Sequence, residues 1–121
     1  MQNNHIIGQH CLLDVYQLDS KWLQNSSAIE QLLCQLAQAA RAHILESYFH
    51  TFGGSGGVTG VLLLAESHIS IHTWPEHQYA AIDIFMCGKL LAEAAVTELK
   101  QLLPDAQMHI RWLARTYQPP A

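Results

Sequence analysis

The run Leu62-Leu-Leu-Ala-Glu-Ser-His-Ile-Ser-Ile-His-Thr-Trp-Pro-Glu76 gathers reactive side chains into an otherwise apolar stretch. Ser67 follows a strand-like segment, His68 and His72 stand at i, i+4, and a tryptophan, a proline and a glutamate close the run. A hydrolase serine needs a base and an oxyanion hole, and its usual sharp elbow reads Gly-x-Ser-x-Gly. Ser67 lies between Glu66 and His68, so that motif is absent. The other chemistry open to it is attack of the Ser67 hydroxyl on the carbonyl of Glu66. Such an N-to-O acyl shift needs a strained or polarised Glu66–Ser67 peptide and donors aimed at the developing oxyanion. A base that removes the Ser67 α-hydrogen then expels the Glu66 carboxylate and leaves dehydroalanine, and tautomerisation and hydrolysis give a pyruvoyl group. His72 is the nearest credible base, because imidazole ordinarily titrates near neutral pH.

Blander readings compete with this chemistry. A serine at a strand start is commonly a solvated or capping residue, and His68 and His72 could equally be satisfied polar groups on a half-buried strand. Period-two alternation puts His68, Ser70 and His72 on one face and Ser67 on the other, so self-cleavage needs a bend or bulge near Ser67. Cys87, at the end of a later strand, reads either as a small buried hydrophobe or as a proton donor or nucleophile. Cys11 and Cys34 read as packing residues. On a strand His68 and His72 are about 13 Å apart, too far to share one ion, and no run of Asp or Glu completes a set, so no metal site is expected. The glycine-rich segment 53–60 lacks the Gly-Lys-Ser/Thr ending of a phosphate loop and reads as a loop beside a pocket.

These groups must be positioned by one small domain. The chain has 121 residues, of which 50% are hydrophobic and 13% charged, enough for a single core. A net charge of −4 with only six Lys and Arg gives no electrostatic footprint for nucleic acid or an anionic membrane. No apolar run reaches membrane-spanning length, and Met1 to Gly8 lacks the regions of a signal peptide. Three scattered cysteines with no C-x-x-C pair argue for a reducing, cytoplasmic setting.

Periodicity predicts a strand at residues 10–17 with Cys11, Leu13 and Val15 on one face, then a short turn of helix around Trp22. Ser27 and Glu30 fit a capping box for a helix to about Ala42, with Ile29, Leu32, Leu33, Leu36 and Ala40 on its stripe. Strands follow at 43–52, 58–65, 68–74 and 78–87. A second helix at 89–103 carries Leu91, Ala95, Leu99 and Leu102, and a last strand covers 107–114. The order β-α-β-β-β-β-α-β implies an α+β two-layer sandwich, a mainly antiparallel sheet with two helices on one face. Its other face, rich in apolar residues, is expected to pair with a second subunit.

The run Ala65-Glu-Ser-His-Ile-Ser-Ile-His-Thr-Trp-Pro-Glu76, with Tyr79-Ala-Ala-Ile-Asp-Ile-Phe85, Cys87-Gly88, Gly57-Val-Thr-Gly60 and Phe49-His50-x-Phe52, resembles the S-adenosylmethionine decarboxylase proenzymes of the short, prokaryotic, pyruvoyl-dependent type. The resemblance covers nearly the whole chain. It implies autocatalytic serinolysis of a zymogen between Glu66 and Ser67, giving a β chain of residues 1–66 and an α chain of residues 67–121 with Ser67 as the covalently bound pyruvoyl group. It further implies His72 as processing base, Thr59 as an assisting hydroxyl, Cys87 as catalytic proton donor, and Phe52, Trp74 and Glu76 as substrate contacts. The implied reaction is decarboxylation of S-adenosylmethionine through a Schiff base to the pyruvoyl carbonyl, an electron sink, supplying the aminopropyl donor of spermidine and polyamine synthesis. Aromatic faces at Phe52 and Trp74 suit a sulfonium cation, and a carboxylate at Glu76 suits ribose hydroxyls. A homodimer of αβ units with each site near the subunit interface is implied as well. Thr59 stands where many members have serine, Gln78 where glycine is common, and the segment Gly53 to Gly57 is longer and richer in glycine. The readings left beside this one are a pyruvoyl-dependent decarboxylase of ornithine or arginine, an unprocessed non-enzymatic homologue, and a histidine-based metal module.

Overall fold

The computed structural model describes residues 5–87 and 90–120. Strand β1 (His5–Tyr16) leads through a single 3-10 turn (Trp22–Gln24) to helix α1 (Ser26–Ala39). Strands β2 (Ile44–Thr51), β3 (Val58–Leu64), β4 (Ser67–Trp74) and β5 (Tyr79–Cys87) follow, then helix α2 (Ala92–Leu102) and strand β6 (Gln107–Tyr117). The six strands form one sheet in the order β2-β3-β4-β5-β1-β6, with every neighbouring pair antiparallel. Two helices cover one face, so the expected two-layer α+β sandwich is the architecture observed.

Helix α1 starts where the Asn25 side chain accepts the Ala28 backbone N–H at 3.0 Å. Asn25, and not Ser27, is therefore the cap: it stands directly before the first helical turn and takes the Ala28 N–H, where the capping-box reading had Ser27 take that of Glu30. The stripe of Ile29, Leu32, Leu33, Leu36 and Ala37 is buried. The helix stops at Ala39, short of Ala42, because Arg41 turns left-handed (φ 63) and the Ala42 N–H closes back on the Ala37 carbonyl at 2.9 Å. Helix α2 buries Ala92, Ala95, Val96 and Leu99. Leu91, expected on that stripe, is instead the exposed cap residue, its backbone N–H spent on the Ala40 carbonyl of α1. The expected helix start at Lys89 lies outside the described residues.

Alternation along the strands divides the sheet. Cys11, Leu13 and Val15 of β1, Leu62 and Leu64 of β3, Ile69 and Ile71 of β4 and Ile82, Ile84 and Met86 of β5 are buried under the helices. The opposite residues face the uncovered side. Thr73 and Ser67 are polar residues buried on this face among the described residues, and Thr73 ties two elements together. Its hydroxyl donates to the Leu23 carbonyl and accepts the Val58 N–H, both at 2.8 Å, which docks the 3-10 turn onto the sheet with no polar atom left unpaired. On the helix-covered face Phe49 of β2 lies over Gly60 of β3, its cross-strand partner.

A Cβ at Gly60 would come within 2.1 Å of the Phe49 ring. Gly60→Ala should therefore lower stability by about 1–3 kcal/mol through overpacking. Urea unfolding should show that loss, and cutting the ring back with Phe49→Leu in the same chain should recover part of it.

Candidate active site

Strands β3 and β4 meet in a tight hairpin. Leu64 pairs with Ser67, so the turn consists of Ala65 and Glu66 alone. Glu66 is exposed and holds φ at 63°, a left-handed conformation that costs a residue with a Cβ about 1–2 kcal/mol. The peptide between Glu66 and Ser67 thus leaves a strained turn residue and enters a strand. The chain reverses just ahead of Ser67, but β4 runs unbroken from Ser67 to Trp74, so no bulge brings Ser67 to the face of His72.

Ser67 points to the helix side and is almost wholly buried. Its Oγ accepts the backbone N–H of Cys87 at 3.0 Å, a contact that the β4–β5 pairing makes across 20 residues of sequence. Glu66, Ser67 and Cys87 therefore form one cluster at one end of β4. His72 belongs to another. It lies on the uncovered face, where its Nδ1 is 3.1 Å from the Thr59 hydroxyl, its cross-strand partner on β3. Five strand steps separate Ser67 from His72, roughly 16 Å, and their side chains leave opposite faces. One chain does not bring the two together.

Thr59 and His72 share a groove of about 430 Å³ with Tyr48, His50, Phe52, Gly60, Val61 and Ser70. Phe52 stands in this groove as one of its exposed aromatics. Trp74 lies outside it, tilted beside His72 at 6.1 Å between ring centres and stacked on Tyr79 at 5.3 Å. Glu76 is exposed in the 3-10 turn Pro75–His77 after β4 and lines no part of the groove. Tyr79 donates its hydroxyl to Asp14 at 2.6 Å, and that bond, with burial and the Asp14 charge behind it, pushes the phenol up to about 12.

Beside the histidines lies a group that sequence spacing did not reveal. Asp83 of β5 meets His10 of β1 and His68 of β4, and the three ligand atoms fall within 4.8 Å of one another. Such a set is compatible with a metal ion. The surrounding bonds favour a hydrogen-bonded cluster instead, because Arg115 Nη1 lies 3.3 Å from His10 Nδ1 and a guanidinium can only donate. Nδ1 is then the acceptor, and Nε2 keeps the proton that Asp83 receives, which leaves no lone pair there for a metal. Asp83 stands 73 residues from His10 and 15 from His68 in sequence, so only cross-strand register could have pointed to it.

A six-stranded antiparallel sheet with helices on one face, and a serine entering a strand from a strained hairpin turn, define a two-layer α+β protein whose candidate residues lie on and beside one central strand. The chain belongs to the S-adenosylmethionine decarboxylase family, whose model matches residues 9–116. It is similar to the S-adenosylmethionine decarboxylase proenzyme of Parasynechococcus marenigrum (strain WH8102), 43% identical over 105 residues, which cover 86% of this chain and 80% of the relative. The proenzyme of the same name from Thermotoga petrophila is 41% identical over the same shares. The crystal structure of the adenosylmethionine decarboxylase from Aquifex aeolicus VF5 superposes with a TM-score of 0.80 at 34% identity, covering 91% of each chain.

Cys11 is fully buried, and burial followed by the nearby Asp83 charge pushes its thiol up to about 11, Lys100 opposing in part. At pH 8 the thiolate is then scarce and inaccessible. A thiol reagent added to the native protein at that pH should leave the Cys11 peptide unmodified in mass spectra and label it once the chain is denatured.

Proposed function

We propose that the chain is a proenzyme that cuts itself between Glu66 and Ser67, giving pieces 1–66 and 67–121, and then decarboxylates S-adenosylmethionine. The observation that carries this reading is the strained turn residue Glu66 placed directly before a serine whose hydroxyl is fixed against the Cys87 backbone. Ser67 Oγ attacks the Glu66 carbonyl, the peptide nitrogen leaves, and an ester joins the two pieces. Loss of the Ser67 α-hydrogen to a base breaks the Cβ–Oγ bond, so the former hydroxyl oxygen departs in the Glu66 carboxylate. Hydrolysis of the remaining enamine releases ammonia and leaves a pyruvoyl group at residue 67. Strain of about 1–2 kcal/mol at Glu66 accounts for about thirtyfold in rate at most, since 1.4 kcal/mol is one decade. The cut therefore also needs a base and an oxyanion donor, the roles assigned to His72 and Thr59.

The pyruvoyl carbonyl, once formed, supplies an electron sink for a substrate amine. Cys87, which neighbours residue 67 across β4 and β5 in the uncut chain, is assigned the proton that replaces carbon dioxide. Tyr48 and Phe52 offer aromatic faces to a sulfonium, which has no hydrogen to donate. The groove lining contains no carboxylate among the described residues, which disfavours the second cationic group of ornithine or arginine. Trp74 and Glu76, outside the groove of their own chain, are assigned to the substrate held by a second copy. The product would be the aminopropyl donor of polyamine synthesis, made in the cytoplasm.

The separation of Ser67 from His72 supports a homodimer whose sites are shared. The uncovered face carries Tyr48, Val61, Leu63, Trp74 and Leu113, all substantially exposed in one chain. A partner sheet laid on that face buries them and brings its own His72 to the Ser67 end.

Intact mass should show two pieces meeting at residue 67, the second beginning with a pyruvoyl group; one full-length mass from folded protein would sink the proposal. Ser67→Ala should abolish the cut. Cys87→Ala should still cut but lose about 10²–10⁴-fold in turnover with S-adenosylmethionine, the usual worth of a positioned proton donor. Mixing subunits tests the shared site. A His72→Ala chain, uncut alone, should be cut when refolded with Ser67→Ala chains that lend it their His72. No cutting in the mixture would place Ser67 and its base within one chain.

A further inference from the structure

The cut creates a problem of position that the uncut chain does not have. Before it, residue 67 is held by the two-residue turn and by the bond from the Cys87 N–H to its own Oγ. Cleavage by the route above removes both together, because the turn is severed and Oγ leaves with Glu66. A strand that starts at a free end frays, since its first pairs have nothing beyond them to resist opening. The backbone ladder remains, and the side chain nearest the new end is His68.

His68 does not stand free. Its Nε2 meets Asp83 Oδ2 at 2.8 Å, Ser70 donates to the same oxygen at 3.3 Å, and the His68 ring stacks on Phe85 with centroids 5.8 Å apart. Asp83 Oδ1 receives His10 Nε2 from β1, and Arg115 of β6 fixes that imidazole from its other side. Phe85 is the cross-strand partner of both His10 and His68, so the two histidines flank one ring and reach one carboxylate from opposite sides. In the cut protein His10 belongs to the first piece, while His68, Ser70, Asp83 and Arg115 belong to the second.

We propose that Asp83, acting through His68 and braced by His10, is the clamp that keeps residue 67 in register with Cys87 after the chain is cut. This rests on the cleavage reading above. Asp83 is a positioning residue: it touches neither the reacting bond nor Cys87, and it works by denying the new chain end the freedom to leave β5. The charge-assisted bonds it accepts are stronger than neutral ones and lie beside the end they restrain.

The test compares cut and uncut protein, which a merely structural role would not separate. Hydrogen exchange over residues 68–71 is measured in the self-cut chain and in the uncut Ser67→Ala chain, each with and without Asp83→Asn. Both backgrounds lack the Ser67 hydroxyl; they differ by the severed bond and by residue 67 itself, whose nitrogen is lost in the cut, so exchange is read from residue 68 onward. In cut protein Asp83→Asn should speed exchange of this segment about tenfold or more, and in uncut protein by less than about threefold, because the intact turn still resists local opening. His68→Ala, which leaves the carboxylate its other donors, should give the same contrast should Asp83→Asn fold poorly. Equal acceleration in both backgrounds, or none in either, overturns the clamp and leaves the proposed function standing. Failure of both variants to self-cut places these residues in the cleavage step and also overturns it. If the parent chain itself stays whole by mass, the clamp and the proposed function fall together.

Discussion

Strand β4 is held on both sides by unbroken antiparallel pairing, and nearly everything else in the molecule follows from its register. Ser67, Ile69, Ile71 and Thr73 go under the helices; His68, Ser70, His72 and Trp74 go to the open face. A slip of one residue would exchange the two sets. Ile69 and Ile71 are wholly buried, and exposing each would cost about 1.5–3 kcal/mol. A hydrogen bond on the open face is worth about 1 kcal/mol net. The core therefore fixes the register, and the polar residues are carried to their places by it.

That division explains why the candidate site is in two parts. The Glu66–Ser67 peptide sits at a strand end, where a two-residue turn can force Glu66 into a left-handed conformation, and Ser67 is drawn inward by the same alternation that packs Ile69. Thr59 and His72 are neighbours because β3 and β4 are, but they look the other way. A single two-layer sandwich cannot bring an inward serine and an outward histidine together across five residues of one flat strand. The proposed partner sheet over the open face would bring a second histidine to the end of β4 that carries Ser67, and the apolar side chains exposed there would favour that association.

The fold was largely legible before the structure. Apolar residues at helical spacing marked α1, alternation marked the strands and split the residues of 11–16 and 67–72 between two faces, and the motif around Ser67 marked the family. The misreadings were local competitions. Asn25 took the cap because it sits directly before the first turn, although Ser27 and Glu30 offered a better-known pattern. Leu91 fitted the stripe of α2 by spacing yet caps it, since its backbone N–H is bound to α1. Trp74 and Glu76 are a different case: the family resemblance implies them as substrate contacts, and they stand apart only from the groove of their own chain that holds Phe52.

By itself the sequence determined which residues face inward, where the chain reverses between two apolar strands, and which residue types accompany Ser67, because those depend on neighbours within a few positions. Tertiary structure decided who meets whom. The Cys87 N–H reaches Ser67 across 20 residues, Thr59 reaches His72 across 13, and Asp83 reaches His10 across 73. Those contacts depend on β1 inserting between β5 and β6 and on the offset of each strand pair. Periodicity along the chain says which way a side chain points; only the packing of strands says what it finds there.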